Sequence, residues 1–225
     1  KAVVVRSDFR TLEKTTLATW RQWFPQDLPG CDWRGGNDRP VTHTIRFRTK
    51  RGPVEMITEF AALGSHRIED VLRGWEGSYG WLNEADLMDV SAKFYLLSRL
   101  RPFQGGMLTD KAARDAMPIQ LVGDLNAPDV DSWIFKEFED QPLDGHVLMK
   151  QPSGLSAQAE NKANLPAGYY EKLSSENKHR KWWIDRFIHN KFGYSREGQP
   201  VYECFDQDRH VASHEIEIDP DLDVV

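Results

Sequence analysis

Short β-branched or aromatic runs alternate with segments of helical period along most of this chain. The opening "KAVVV" is continuous and Val-rich, which predicts a strand buried on both faces of a parallel sheet. In "SDFRTLEKTTLATWRQWFP" the positions Leu12, Thr16, Thr19, Trp20 and Trp23 recur at helical spacing, and Pro25 stops the helix. "QDLPGCDWRGGNDRP" has the Gly, Pro, Asn and Asp content of a loop. "THTIRFRTKRGPVEMITEF" alternates Ile45 and Phe47 with Arg46 and Arg48 and turns at "KRGP", the pattern of a β-hairpin. "HRIEDVLRG" predicts a short helix closed by Gly74.

Further along, "SYGWL" predicts a short apolar strand running into Asn83 and Glu84. "DVSAKFYLLSRLR" predicts a helix with Val90, Phe94 and Leu97 on its packed face, ended by Pro102. "PIQLVGDLNAP" reads as a second buried strand leading into a polar loop, and "VDSWIFKEFED" as a short helix. "GHVLMKQPSG" reads as another strand. "PAGYYEKLSSE" and "KHRKWWIDRFIHNKFG" read as helices, the second with Trp183, Ile184, Phe187 and Ile188 in one stripe. "GQPVYECF" reads as extended, before an acidic tail. Strands alternating with helices predict an α/β sheet with crossover helices. No internal repeat or low-complexity linker interrupts the pattern.

Composition narrows the partners. The 225 residues suit one domain, or one with a small appendage, and 40% hydrophobic content supplies a full core. A net charge of -6 gives no global field toward nucleic acid, so any DNA contact rests on local patches. Cys31 and Cys204 match no zinc spacing and suit a reducing compartment. No run approaches the roughly 18 apolar residues of a membrane span, and no signal peptide is visible. The chain begins inside one strand-like run and ends at another, "DLDVV", which predicts a fragment of a longer protein.

Candidate chemistry sits at strand ends, where open α/β sheets bind ligands. Glu84 directly follows a predicted strand and is placed to orient and deprotonate a water. Asn83 can hold a metal-bound water but lacks the negative charge that Mg²⁺ favours. The alternative is a strand-to-helix turn with Asn as cap and Glu in the first turn. Asn126, two residues before Pro128, stands where a loop can sense a γ-phosphate, or where Asn and Pro simply make a turn. Arg6, Arg73, Arg99 and Arg101 are candidate phosphate-stabilising cations, or ordinary surface and helix-end charges. The basic segment with Lys178, Arg180, Lys181, Arg186 and Lys191 can meet a phosphate backbone or form the solvated face of a packed helix. No G-x-x-x-x-G-K-[ST] occurs. His210 and His214 lack an evident third metal ligand, and the tail acids Asp206, Asp208, Asp219, Asp221 and Asp223 read as a solvated charge run.

Taken in order, "VVVRSDFRTLEKTTLATWRQWFP", "VLRGWEGSYGWLNEAD", "LVGDLNAPDVDSWIFKEF" and "AENKANLPAGYYEKL…FIHNKFGYSREGQPVYECFDQDRHV" resemble the large terminase subunit of tailed bacteriophages, the motor ATPase of DNA packaging. The resemblance covers nearly the whole chain. It implies a P-loop NTPase-like α/β fold of the ASCE type: a mainly parallel sheet flanked by helices, with a small helical C-terminal lid. Residues 1–150 are then a partial ATPase core, and 151–225 its end and the linker toward a nuclease domain. The family's Walker A loop, expected before the first strand, and its nuclease are not in the chain.

By the same resemblance Glu84 matches the Walker B glutamate and Asn83 the position of the Mg²⁺-holding Asp. Asn126 matches the coupling motif. Arg73 matches the region that can carry an arginine finger toward a neighbouring subunit, and Arg6 joins Asn126 as a nucleotide-contact candidate. The implied cofactors are ATP and Mg²⁺. The implied partners are double-stranded DNA, the portal and procapsid, the small terminase subunit and a homo-oligomeric ring, in the cytoplasm of an infected or lysogenic bacterial host. The contrary reading is a catalytically lapsed DNA-binding or assembly module, with Asn83 as its mark.

Overall fold

The computed structural model describes residues 1–36, 39–50, 52–101, 118–194 and 207–211. Its frame is a six-stranded sheet of order β2-β3-β4-β1-β5-β6. Strand β1 (Ala2–Arg6) is central, because Val3, Val4 and Val5 carry β-branched side chains to both faces and all three are buried. Strands β4 (Gly52–Ala62) and β5 (Tyr79–Asn83) lie parallel on either side of it, and β6 (Gln120–Asp124) lies parallel to β5. Strand β3 (Arg39–Thr49) forms the expected hairpin with β4, and β2 (Cys31–Gly36) adds an antiparallel edge.

The period of two along β1 divides the core. Val4 clusters with Leu12 and Leu17 of α1, a helical run over 9–23, and with Val41 of β3 and Phe60 of β4. Val3 and Val5 face the other way with Leu82, onto α2 (Ile68–Val71), α3 (Val90–Arg99) and α4, a run over 133–140. Asp8 caps α1 by accepting from the Thr11 N–H at 2.9 Å, and that bond holds its carboxyl below the usual range. The middle of α1, Leu12–Leu17, is wound as a π-helix, a widened turn that often marks functional sites. Helices α5 (Tyr169–Glu176) and α6 (Lys181–Phe187) follow, and α7 (Gln207–His210) is the last described element. Among the described residues no helix is long and apolar enough to cross a membrane.

Several expectations are corrected. Part of the predicted loop 26–40 is strand β2, where Trp33 lies over His43 and joins the α1 core. Gly35 permits it: at φ +82° a Cβ there would stand 2.0 Å from the Pro40 carbonyl oxygen. Helix α3 packs through Ala92, Lys93 and Leu96, while Phe94 and Leu97 face outward. Leu96 takes the core position because Gly80 of β5 leaves room beneath it. Trp23, expected on the packed face of α1, is exposed.

Strand β6 exists but is not buried. It is the last strand of the sheet, and a hollow of about 360 Å³ lined by Tyr79, Trp81 and Val122 lies open on its α1 side. Residues 145–152 form no strand, and Val147 and Met149 are exposed. "GQPVYECF", Pro102, His214 and most of the acidic tail lie outside the described residues.

Candidate functional site

Three neighbouring parallel strands end in polar residues on the same face of the sheet. Leu82 pairs with Val5, so Asn83 stands beside Arg6, and Asn83 is in register with Asp124. The even positions of β1, the odd positions of β5 and the even positions of β6 all turn toward α1, which lines up Arg6, Asn83 and Asp124 in one row. Thr16, from the π-wound turn of α1, closes the row from above.

The row is hydrogen-bonded along its length. The Arg6 Nη1 donates to Asn83 Oδ1 and, at 3.1 Å, to Thr16 Oγ1. Thr16 Oγ1 also donates to Asn83 Oδ1, at 2.5 Å. The Asn83 amide Nδ2 lies 3.0 Å from both carboxylate oxygens of Asp124, and Trp81 Nε1 donates to Asp124 Oδ1 at 2.5 Å. Arg6 and Asn83 are buried, Asp124 is exposed. The Arg6 Nη2 forms an ion pair with Glu84 Oε2 at 2.5 Å, while its buried Nε finds no acceptor among the described residues.

Glu84 sits immediately past β5 with φ 56° and ψ 59°, a left-handed conformation. A side chain there costs about 1–2 kcal/mol over Gly. Asn83 remains in the strand and caps nothing, and Glu84 precedes the 3-10 turn Ala85–Leu87 without a side-chain cap bond. The simple capping alternative therefore does not describe this turn. The strained backbone turns the Glu84 carboxylate toward the strand ends rather than along the turn, where Arg6 meets it.

The other candidates stand apart from the row. Asn126 follows β6 by two residues on an exposed loop anchored by buried Ala127 and Pro128. Arg73 lies beyond α2, 80% exposed, paired with Asp70 at 3.2 Å and touching none of the row. Arg99 holds the Tyr95 hydroxyl at 2.9 Å, and Arg101 pairs with Glu76 at 3.0 Å.

Two residues escape sequence reasoning. Local pattern favours Asn126 over Asp124, although Asp124 ends its strand as Arg6 and Asn83 end theirs. Arg186, expected on a solvated basic face, instead turns inward to Asp129 at 3.0 Å and to Asp86 at 3.4 Å. Burial pushes the Asp86 carboxyl up, with Glu84 and Asp124 adding to the rise and Arg186 opposing it.

No group of three or more His, Cys, Asp or Glu able to hold a metal occurs among the described residues. The Asn83 amide oxygen is already engaged by Arg6 and Thr16, so the donor set at the row is the carboxylate of Asp124 with that of Glu84, which Arg6 also meets. That set does not cage a cation, but it fits Mg²⁺, which binds through one or two carboxylates and completes its shell with water and substrate phosphates.

Solved structures share this arrangement of strands and helices. The large terminase of a thermophilic bacteriophage superposes with a TM-score of 0.55 over 93% of this chain, at 15% identity. The fold is that of a large terminase. A second crystal form of the same terminase, in complex with ADP, gives 0.53 at the same identity and coverage. The chain spans 44% of the length of those terminases. No protein-family model and no curated protein matches it.

Proposed function

We propose that this chain is the ATPase portion of a large terminase, part of a motor that couples ATP hydrolysis to the movement of double-stranded DNA into a procapsid. The observation that carries the proposal is Glu84. It is the acid at the end of an interior parallel strand, held in a strained conformation and oriented by a buried Arg6, in a fold shared with a terminase that binds ADP. In this reading Glu84 orients and deprotonates the attacking water. Arg6 holds that carboxylate in place. Asn83 belongs to the metal side of the site. Asn126, on the loop leaving β6, responds to loss of the γ-phosphate, and exposed Arg73 acts on a neighbouring subunit.

ATP and Mg²⁺ are the proposed cofactors, with Mg²⁺ supplying charge neutralisation to the phosphates when bound. Residues 1–150 are the partial core and 151–225 the closing and linking part. The proposed partners are double-stranded DNA, a portal and procapsid, a small terminase subunit and further copies in a ring, in a bacterial host's cytoplasm. The test is Glu84→Gln in a protein in which a phosphate-binding loop accompanies these residues. Hydrolysis should vanish while ATP binding persists, and normal turnover overturns the proposal.

A second reading, a non-hydrolytic DNA-binding or assembly module, draws on Asn83. Its Oδ1 already accepts from Arg6 and Thr16, and it brings no charge to a metal. Absence of hydrolysis by the loop-bearing protein, with DNA binding retained, selects this reading.

A further inference from the structure

We propose that Asp124, from the neighbouring strand, is the metal-facing carboxylate of this site, and that Asn83 is the residue that positions it. The assignment rests on the nucleotide-hydrolysing reading above and names the group in it that holds the divalent cation.

An amide has one acceptor oxygen and one donor nitrogen. The Asn83 oxygen is engaged by Arg6 and Thr16, and its nitrogen is directed at both oxygens of Asp124. Asn83 therefore has no acceptor to spare for a cation, yet it grips a carboxylate that does. Asp124 is exposed and forms no ion pair among the described residues, whereas the Glu84 charge is met by Arg6. A carboxylate offers about four lone-pair sites, and the bonds from Asn83 and Trp81 leave sites facing solvent.

The pairing also explains the amide. With Asp at 83, two carboxylates would face each other across the register where Nδ2 now donates at 3.0 Å, and each would disfavour the other's charge. The amide on β5 and the acid on β6 together place one negative charge at this register.

Trp81 makes the test direct, because its indole is bonded to the carboxylate in question. The 225-residue chain is titrated with Tb³⁺ under tryptophan excitation, and Mn²⁺ binding is followed separately by electron paramagnetic resonance. We expect sensitised emission that Mg²⁺ displaces. Asp124→Asn and Asp124→Ser should each weaken Mn²⁺ binding by about tenfold or more, with circular dichroism unchanged because Asp124 is exposed. Trp81→Phe removes a bond to this carboxylate along with the nearest sensitiser and should lower the emission.

Unaltered Mn²⁺ binding in both Asp124 variants overturns the assignment, as does sensitised emission that persists undiminished in them. Hydrolysis by the loop-bearing protein with metal binding indifferent to Asp124 removes this assignment alone. Asp124-dependent binding without any hydrolysis removes the hydrolytic reading alone.

Discussion

Arg186 and Asp86, a hundred residues apart in sequence, meet at 3.4 Å beside the strand-end turn. The same guanidinium bonds Asp129 at 3.0 Å, on the loop that follows β6 and Asn126. Asp129 also forms a bridge with Gly193, just past α6. One side chain on α6 therefore ties the C-terminal helices to both loops of the candidate site: the turn after Glu84 and the loop carrying Asn126. Ile188, just past α6, is buried, and its carbonyl accepts from the Gly154 N–H at 2.8 Å.

Replacing Arg186 by Met keeps most of its volume and leaves Asp86 buried without a counter-charge. We expect a loss of about 3 kcal/mol at pH 7, the scale for breaking a buried pair from one side. Burial already raises the Asp86 carboxyl, and removal of Arg186 raises it further. A folded-state pKa above the unfolded value favours the folded state once the proton is bound, so the deficit should shrink as pH falls. Adding Asp86→Asn should recover part of it. Urea unfolding of the three variants at pH 7 and pH 5 measures this, and a deficit independent of pH would count against a buried Asp86 charge as its cause.

The left-handed backbone of Glu84 predicts an inverted preference between small residues. Glu84→Ala and Glu84→Gly both lose the ion pair with Arg6, but only Ala keeps a Cβ at φ 56°. The Gly variant should be more stable than the Ala variant by about 1 kcal/mol. In an ordinary helix or strand interior Gly would be the weaker of the two. Urea denaturation of the pair isolates the strain, and an equal or reversed order means that the turn relaxes when the side chain is removed.

Gly80 marks a close approach of β5 to α3. A Cβ at this position would lie 2.8 Å from Leu96 Cδ2 and 2.9 Å from Leu121 Cδ1. Leu121 lies on the exposed edge strand and can yield, but Leu96 is fully buried. Gly80→Ala should cost about 1–3 kcal/mol as overpacking. Trimming the neighbour, as in Gly80→Ala with Leu96→Val, should cost less than the sum of the two single changes. Additivity within error would show that the two positions do not share space.

How far the sequence foretold this depended on the range of the interaction. Runs such as "KAVVV" and the 41–60 hairpin carry their own periodicity, so β1, β3 and β4 were legible. Glu84 was legible as an acid at a strand end. Asp124 needed the β5–β6 register, which no local pattern encodes, although the shared strand-terminal placement of Arg6, Asn83 and Asp124 was a usable hint. The edge position of β6 and the inward turn of Arg186 depend on which elements pack together. The face of α3 was misread because Phe94 and Leu97 are more apolar than Ala92 and Lys93. Lys93 is kept inside by its ion pair with Glu137 and by the Phe94 and Trp133 rings around its ammonium group.

His43 sets a pH limit on the other side of the sheet. It is fully buried among Trp20, Phe24 and Trp33, and its Nδ1 accepts the Trp20 indole N–H at 3.1 Å. That bond assigns the proton to Nε2, which finds no acceptor among the described residues. Burial lowers the pKa of this imidazole, and a second proton on Nδ1 would confront the Trp20 donor. In the unfolded chain the ring protonates near the ordinary value of about 6.5. As pH falls below that value the unfolded state gains a proton that the folded state refuses, so folding stability drops until the lowered folded pKa is passed. The variant His43→Phe should lose about 1 kcal/mol at pH 7 with the hydrogen bond. The gap between it and the parent should then narrow as pH is lowered from 7 to 5. Urea unfolding midpoints of both chains across that range decide the matter, and parallel curves would mean that His43 takes up its proton in the folded state as readily as in the unfolded one.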